Sequence, residues 1–265
     1  MRFLLPSLLA ITATSLSPLS AVAQHAPPGL LARTIVLDVS SDRYPQFEEA
    51  LRDHLRYHRV NGDPWAWHTW QVVNGADLGR YYLRSLGHSW QDLDEQAPLR
   101  QSDWADFLAH VAPNVRSMTS TISSFEPALS NWPPEVARPT LVSLTRFELT
   151  FDGIRAFRGA LEKIRAAVLE RAPDRQWGWT TTVNGSDGPE MTLLVPLDGW
   201  SDLEPRRPPL WSLIEEAYGV EQANSLRATI AASLRSMSSS VLAYRADLSY
   251  EPASGAGPTG DEAND

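Results

Sequence analysis

Val73-Asn74-Gly75, followed by Trp90-Gln91-Asp92-Leu93-Asp94, constrains this chain more than any other feature, because the pattern returns 110 residues later. The second occurrence reads Val183-Asn184-Gly185 and Trp200-Ser201-Asp202-Leu203-Glu204. Carried backwards, the same offset pairs Phe47 with Phe157, Ala50 with Ala160 and Leu51 with Leu161, all inside segments of helical spacing. Self-similarity at one offset through several elements is a tandem duplication: the unit folds twice, and the two copies must pack together.

Residues 1–23 stand apart from both copies. They hold Arg2, an apolar run from Phe3 to Leu19 broken by Pro6 and Pro18, and Ala21-Val22-Ala23 before Gln24, which reads as a cleavable secretory signal and a periplasmic or secreted destination. No later stretch approaches the length of apolar chain that spans a bilayer, so no membrane insertion is expected. The sequence has no cysteine, which excludes a disulfide framework, a thiol nucleophile and a lipoprotein anchor; stability must come from the core. A net charge of −9 without any basic cluster argues against nucleic acid as a partner. Ten tryptophans are many for this length and suit a mixture of core packing and ligand-facing rings.

Residues 24–33, with Pro27-Pro28-Gly29, read as a flexible lead-in. The first repeat then occupies 34–130. It opens with a strand over 34–39 and a helix over 44–59, whose stripe carries Tyr44, Phe47, Ala50, Leu51, His54, Leu55 and His58. Strands over 65–73 and 79–86 follow, with Asn74-Gly75 beginning a hairpin turn between them. A helix near 102–112 and a strand over 120–125 complete the unit. Residues 131–139 form a Pro-rich linker. The second repeat, 140–252, gives strand 141–149, helix 152–171, strands 177–183 and 190–195, helices between 210 and 234, and a last strand over 241–250. Arg235-Ser236-Met237 echoes Arg116-Ser117-Met118, and Tyr250-Glu251-Pro252-Ala253 echoes Phe125-Glu126-Pro127-Ala128. Residues 253–265 read as a disordered acidic tail.

The order strand, helix, strand, strand, helix, strand is the ferredoxin-like split βαβ unit. Two such units in tandem resemble the dimeric α+β barrel superfamily, in which two four-stranded sheets pack face to face with helices outside. The fold class expected is therefore α+β, with both barrel halves supplied by one chain, so that a monomer is sufficient. That superfamily includes haem-degrading monooxygenases, chlorite dismutases and cofactor-free quinol monooxygenases; the resemblance implies a cavity more firmly than a reaction, and it names no cofactor.

Candidate site residues come from positions where the copies differ. His54 and His58 stand where the second copy has Ile164 and Val168, and His88 where it has Asp198. Being i and i+4, His54 and His58 lie on one helix face. They either fill the core or line a cavity between helix and sheet. Lacking a visible third ligand or a His-Glu-x-x-His pattern, they are assigned no metal. If they only fill core positions, His54→Ile and His58→Val leave stability unchanged or higher. His88, in the loop after the third strand of its copy, could exchange protons with Asp92. Trp90 and Asp92, kept in the second copy, read as an indole plugging the barrel end and a capping carboxylate. Strand alternation sends Tyr81 to one face and Tyr82 with Arg80 and Arg84 to the other.

The ligand-binding set expected is thus His54, His58, His88, Trp67, Trp70 and Tyr81, holding a small, partly apolar ligand in a cavity of the first repeat. The alternatives are a monooxygenase-like or haem-related enzyme using those histidines, and a structural or interaction protein in which they have no role.

Overall fold

The computed structural model describes residues 29–95, 97–132 and 138–252. The stretches read as a signal and an acidic tail, half of the lead-in and the middle of the linker lie outside these residues; Leu31 to Arg33, expected in the flexible lead-in, instead open the first strand, with Leu31 and Ala32 buried. The first repeat contains β1 (Leu31–Asp38), α1 (Tyr44–Val60), β2 (His68–Gly75), β3 (Tyr81–His88), α2 (Trp90–Glu95), α3 (Ala97–His110) and β4 (Ser117–Phe125). The second contains β5 (Leu141–Leu149), α4 (Gly153–Arg171), β6 (Gly178–Asn184), β7 (Glu190–Leu197), α5 (Leu210–Tyr218), α6 (Val220–Ser233) and β8 (Leu234–Tyr244).

The eight strands close into one antiparallel barrel in the order β1-β3-β2-β8-β5-β7-β6-β4. Within it each repeat keeps the ferredoxin-like sheet, β4-β1-β3-β2 and β8-β5-β7-β6, and the free edges of one sheet meet those of the other along two seams, β2 with β8 and β4 with β6. Closure removes every exposed strand edge, which explains how a duplicated half-barrel becomes a complete object in a single chain.

Helices cover the outer faces. α1 drops Phe47, Leu51 and Leu55 onto Ile35, Leu37, Tyr81 and Leu83 of the first sheet. Phe47 and Leu51 are wholly buried, and each such side chain contributes about 1.5–3 kcal/mol of transfer free energy. α4 does the same in the second repeat with Phe157 and Leu161 against Trp179 and Met191. The barrel interior is a separate apolar layer built from Trp70, Val72, Tyr82, Val142 and Leu242.

The repeated Val-Asn-Gly is not the hairpin turn its composition suggests. At the first seam, Val72 pairs with Leu242, Val73 is skipped, and Asn74 and Gly75 pair with Val241 and Ser240. At the second, Asn184 pairs with Ile122 and Thr182 with Ser123, with Val183 skipped in the same way. Both copies therefore carry a β-bulge where they join the other sheet, and bulges add the local twist that barrel closure needs. Gly75 and Gly185 have φ of 118° and 96°. A Cβ on Gly75 would lie 2.5 Å from the Ser240 hydroxyl and 2.7 Å from the Ser239 carbonyl, and one on Gly185 would crowd Ser120 and Thr121 in the same manner. The true turn of the first hairpin falls after Gly75, where the Gly79 amide donates to the Val72 carbonyl.

Three further expectations change. The last strand runs over 234–244 rather than 241–250, because the polar stretch Ser236 to Ser240 pairs along β5, where tertiary hydrogen bonding overrides weak strand propensity. The counterpart of Phe125-Glu126 is accordingly Tyr244-Arg245: the Glu126 amide donates to the Trp179 carbonyl as the Arg245 amide donates to Thr69. Trp90 and Trp200 do not plug the barrel; they are 36% and 53% exposed. Asp92 does cap, accepting the Ser89 amide at 2.6 Å while the Ser89 hydroxyl accepts the Asp92 amide at 3.1 Å, and Asp202 accepts the Asp198 amide at 2.7 Å.

Candidate functional site

Two cavities flank the first sheet, one on each face. The larger, about 870 Å³, is the barrel interior and is lined by both repeats. The expectation of a cavity confined to the first repeat thus holds for the smaller space alone.

Alternation along β1, β2 and β3 sets the interior wall. Val36, Tyr82 and Trp70 are register partners in one row, and Thr34, Arg84 and His68 in the next. From the other sheet come Val142, Leu144, Arg146, Thr192 and Leu194. The charges in this space are unequal. Arg146 lies 3.4 Å from Glu190 and donates to the Tyr82 hydroxyl at 3.3 Å. Arg84 has no ion pair or hydrogen bond among the described residues, and its Nε is shut off from solvent. Burial pushes its pKa down to about 10, which leaves the guanidinium charged at neutral pH. The indole N–H of Trp70, on the same wall, is also buried without a partner.

The smaller cavity, about 360 Å³, lies between the first sheet and helices α1 and α3, lined by Leu55, Trp67, Leu83, Trp104 and Phe107 with His54, His58, Arg100 and Asp103. Here the two histidines, both 4% exposed, sit in a polar network. His54 Nδ1 donates to Asp106 at 2.7 Å and His58 Nδ1 donates to Asp63 at 2.5 Å. Both Nε2 atoms approach one oxygen, Asp103 Oδ1, at 3.3 and 3.2 Å. Arg100 pairs with Asp63 at 2.6 Å and with Asp103 at 3.2 Å, and the Trp67 indole donates to Asp63 at 3.3 Å. Burial would raise the pKa of Asp63, but the hydrogen bonds from His58, Arg100 and the Trp65 amide outweigh it and hold the group at about 2. Burial likewise opposes charging His54, yet Asp103 and Asp106 outweigh it and raise its pKa.

The expected site residues therefore divide. His54, His58 and Trp67 line the outer pocket, while Trp70 lines the barrel interior. Tyr81 lines neither: its hydroxyl donates to Glu48 at 2.7 Å beneath α1. His88 stands apart, stacked on Trp65 at 3.7 Å and 2.7 Å from the Ser85 hydroxyl, with burial lowering its pKa. Sequence comparison missed Arg84, Asp63, Asp103 and Asp106. Arg84 had a signal, since alternation already placed it with Tyr82. The aspartates had only the i,i+3 spacing of 103 and 106 on one helix, a pattern common on solvated faces.

The chain matches no protein-family model and no curated protein. Solved structures do share its architecture. An anthrone oxidase-like protein superposes with a TM-score of 0.52 at 13% identity over 83% of this chain and 93% of its own. A candidate monooxygenase from Lactobacillus acidophilus gives 0.50 at 10% identity over 84% and 97%, and one from Fusobacterium nucleatum gives 0.51 at 10% over 82% and 92%. At such identities the likeness is one of fold. The chain has the dimeric α+β barrel fold, with both halves in one polypeptide. No helix among the described residues is long and apolar enough to cross a membrane.

Proposed function

We propose that this protein binds a small organic anion with an apolar body inside the barrel. The observation that carries the reading is Arg84, a charged guanidinium in a walled cavity with no ion pair or hydrogen bond among the described residues. Arg84 is half-buried with its Nε shut off from solvent, so an unpaired guanidinium there is under-solvated, and a bidentate carboxylate, sulfonate or phosphate would supply the missing partners. The rest of the wall suits the other end of such a molecule: Trp70, Tyr82, Val36 and Val142 offer apolar and aromatic surface, and about 870 Å³ lies within the range of small-molecule sites. On the leader read at residues 1–23 we propose that this binding occurs outside the cytoplasm, which a mature N-terminus at Gln24 in an exported fraction would support.

The test uses pairs of ligands that share a skeleton and differ in charge, such as aliphatic and aromatic carboxylates against their primary amides. The carboxylates should raise the thermal midpoint and change Trp70 fluorescence; the amides should not. Arg84→Met should lose that response while keeping or gaining stability, since a cost is removed from the unliganded protein. Equal binding of acid and amide, or undiminished carboxylate binding by Arg84→Met, would sink the proposal. The oxygenase descriptions stay with the proteins that carry them. Oxygen uptake with phenolic or quinol substrates that Arg84→Met abolishes would extend the binding site to an active one.

A further inference from the structure

We propose that His54, His58 and Asp103 form a site for one first-row divalent cation of the zinc class, on the outer face of the first sheet and independent of the barrel interior. Both imidazoles come from α1 and the carboxylate from α3. The three ligand atoms, one from each residue, lie within 4.8 Å of one another.

Protonation of the histidines is fixed by their other nitrogens. Each Nδ1 faces a carboxylate that can only accept, Asp106 for His54 and Asp63 for His58, so each Nδ1 carries the proton. In the neutral form of each ring the Nε2 lone pair is then the free one, both Nε2 atoms approach Asp103 Oδ1, and a metal would displace any proton held there. This is the carboxylate–histidine–metal arrangement in which an outer acid sets the tautomer and raises the basicity of the ligating nitrogen. It occurs here twice, on adjacent turns of one helix.

The distances also suit a metal. A tetrahedral ion with bonds of about 2.0–2.1 Å holds its ligand atoms roughly 3.3 Å apart. Asp103 Oδ1 lies 3.3 Å from His54 Nε2 and 3.2 Å from His58 Nε2. Neither ring nitrogen is aligned to donate to that oxygen, which is buried without a hydrogen-bond partner. Arg100 takes the other oxygen of this carboxylate, so Oδ1 is the atom left to share a cation with the two imidazoles.

Three protein ligands leave a fourth position open, as in catalytic rather than structural sites. It faces the outer pocket of about 360 Å³ beside Trp67, Trp104 and Phe107. Imidazole and carboxylate donors suit zinc, iron(II), cobalt(II) and nickel(II) over calcium or magnesium. In the second repeat the same helix positions hold Ile164 and Val168, so the chain should bind one ion and not two.

The mature chain, free of any affinity tag, is stripped with chelator and titrated with zinc chloride and cobalt chloride. One equivalent of each should bind, and the cobalt complex should show the intense visible bands of a four- or five-coordinate ion. Asp103→Asn preserves shape and should weaken zinc by more than about 100-fold. Asp106→Asn, whose carboxylate meets the far nitrogen of His54 at 2.7 Å and the exposed His110 at 2.9 Å, should weaken it by about 10- to 100-fold, the outer-shell range. Arg84→Met, in the other cavity, should leave zinc binding unchanged. Absence of saturable binding, or affinity that Asp103→Asn leaves intact, overturns the site. Should Asp103→Asn fail to fold, the cobalt spectrum of the natural chain decides, and the weak spectrum of the hexahydrated ion overturns it.

Discussion

The two repeats lay the same helix on the same sheet face and fill the space beneath it in opposite ways. Under α4, Ala160, Ala167 and Val168 meet Leu213, Ile214, Ala223 and Leu226 in aliphatic layers. Under α1, the positions of Ile164 and Val168 are histidines, and what meets them is Asp63, Asp103 and Asp106, with Arg100 paired to Asp63 and Asp103. A buried ionic network is seldom more stabilising than the apolar packing it replaces. The second repeat shows that the fold is satisfied by the aliphatic solution, so the fold does not require the polar one, which agrees with the cation site proposed above. The network also revises the effect of His54→Ile with His58→Val. Three carboxylates each lose a histidine, while Arg100 stays with Asp63 and Asp103 and His110 with Asp106, so the swap lowers stability instead of leaving it unchanged.

The seams show a second contrast. Glu48 of α1 is held by Arg245, at 2.6 and 2.8 Å, just beyond the last strand of the second repeat. Arg158 of α4 is held by Glu126, at 2.7 and 2.8 Å, just beyond the last strand of the first. Equivalent places carry equivalent ion pairs of reversed sign. Two first repeats joined to each other would set Glu48 against Glu126, and two second repeats would set Arg158 against Arg245, so the reversal favours pairing of unlike halves within one chain.

The comparison can be pressed hardest by exchanging layers. Ile164→His with Val168→His should lower unfolding free energy by about 3–5 kcal/mol, because neither ring finds a carboxylate in the second repeat. A loss under about 1 kcal/mol in urea titration would mean that the layers are interchangeable. Reversing one seam should come next. Arg158→Glu places two carboxylates together and should cost about 2–4 kcal/mol, and adding Glu126→Arg should restore more than half. No recovery in the double variant would show that the pair has no directional role. Gly75→Ala and Gly185→Ala should each cost about 1–3 kcal/mol and by similar amounts, since both need positive φ and both face the opposing strand. A neutral result at either would contradict the bulge described at that seam.

The smallest effect concerns pH. The hydrogen bond from Arg245 lowers the pKa of Glu48. Burial would raise that of Glu126, but Arg158 and Thr181 outweigh it and lower it as well. A carboxyl with a folded pKa below its unfolded one contributes stability above the unfolded value, and that contribution disappears as pH falls through the folded one. The thermal midpoint should therefore decline as pH drops below about 4.3, the ordinary glutamate value. Glu126→Gln should flatten that decline, by no more than about 1 kcal/mol. Parallel curves down to pH 3 would remove Glu126 from the account.

Element order and internal repetition were enough to specify the barrel, because duplication and hydrophobic period are properties of the chain itself. The helix stripe of Phe47, Leu51, His54 and His58 was legible for the same reason: residues three and four apart share a face whatever they pack against. Asp63 and Asp103, by contrast, lie in a loop and another helix, and only folding brings them to those histidines. Trp67 and Trp70 show the limit within a single segment. The sequence makes both candidate ligand contacts, but odd spacing in a strand sends them to opposite faces, and only the closed barrel makes one face an interior and the other a helix-covered pocket. Val73-Asn74-Gly75 was visible as a repeat, yet its role as a bulge depended on a strand more than 160 residues away. Local periodicity is written in the chain, whereas ligand convergence, unpaired charge and seam closure depend on distances between residues that the sequence keeps far apart.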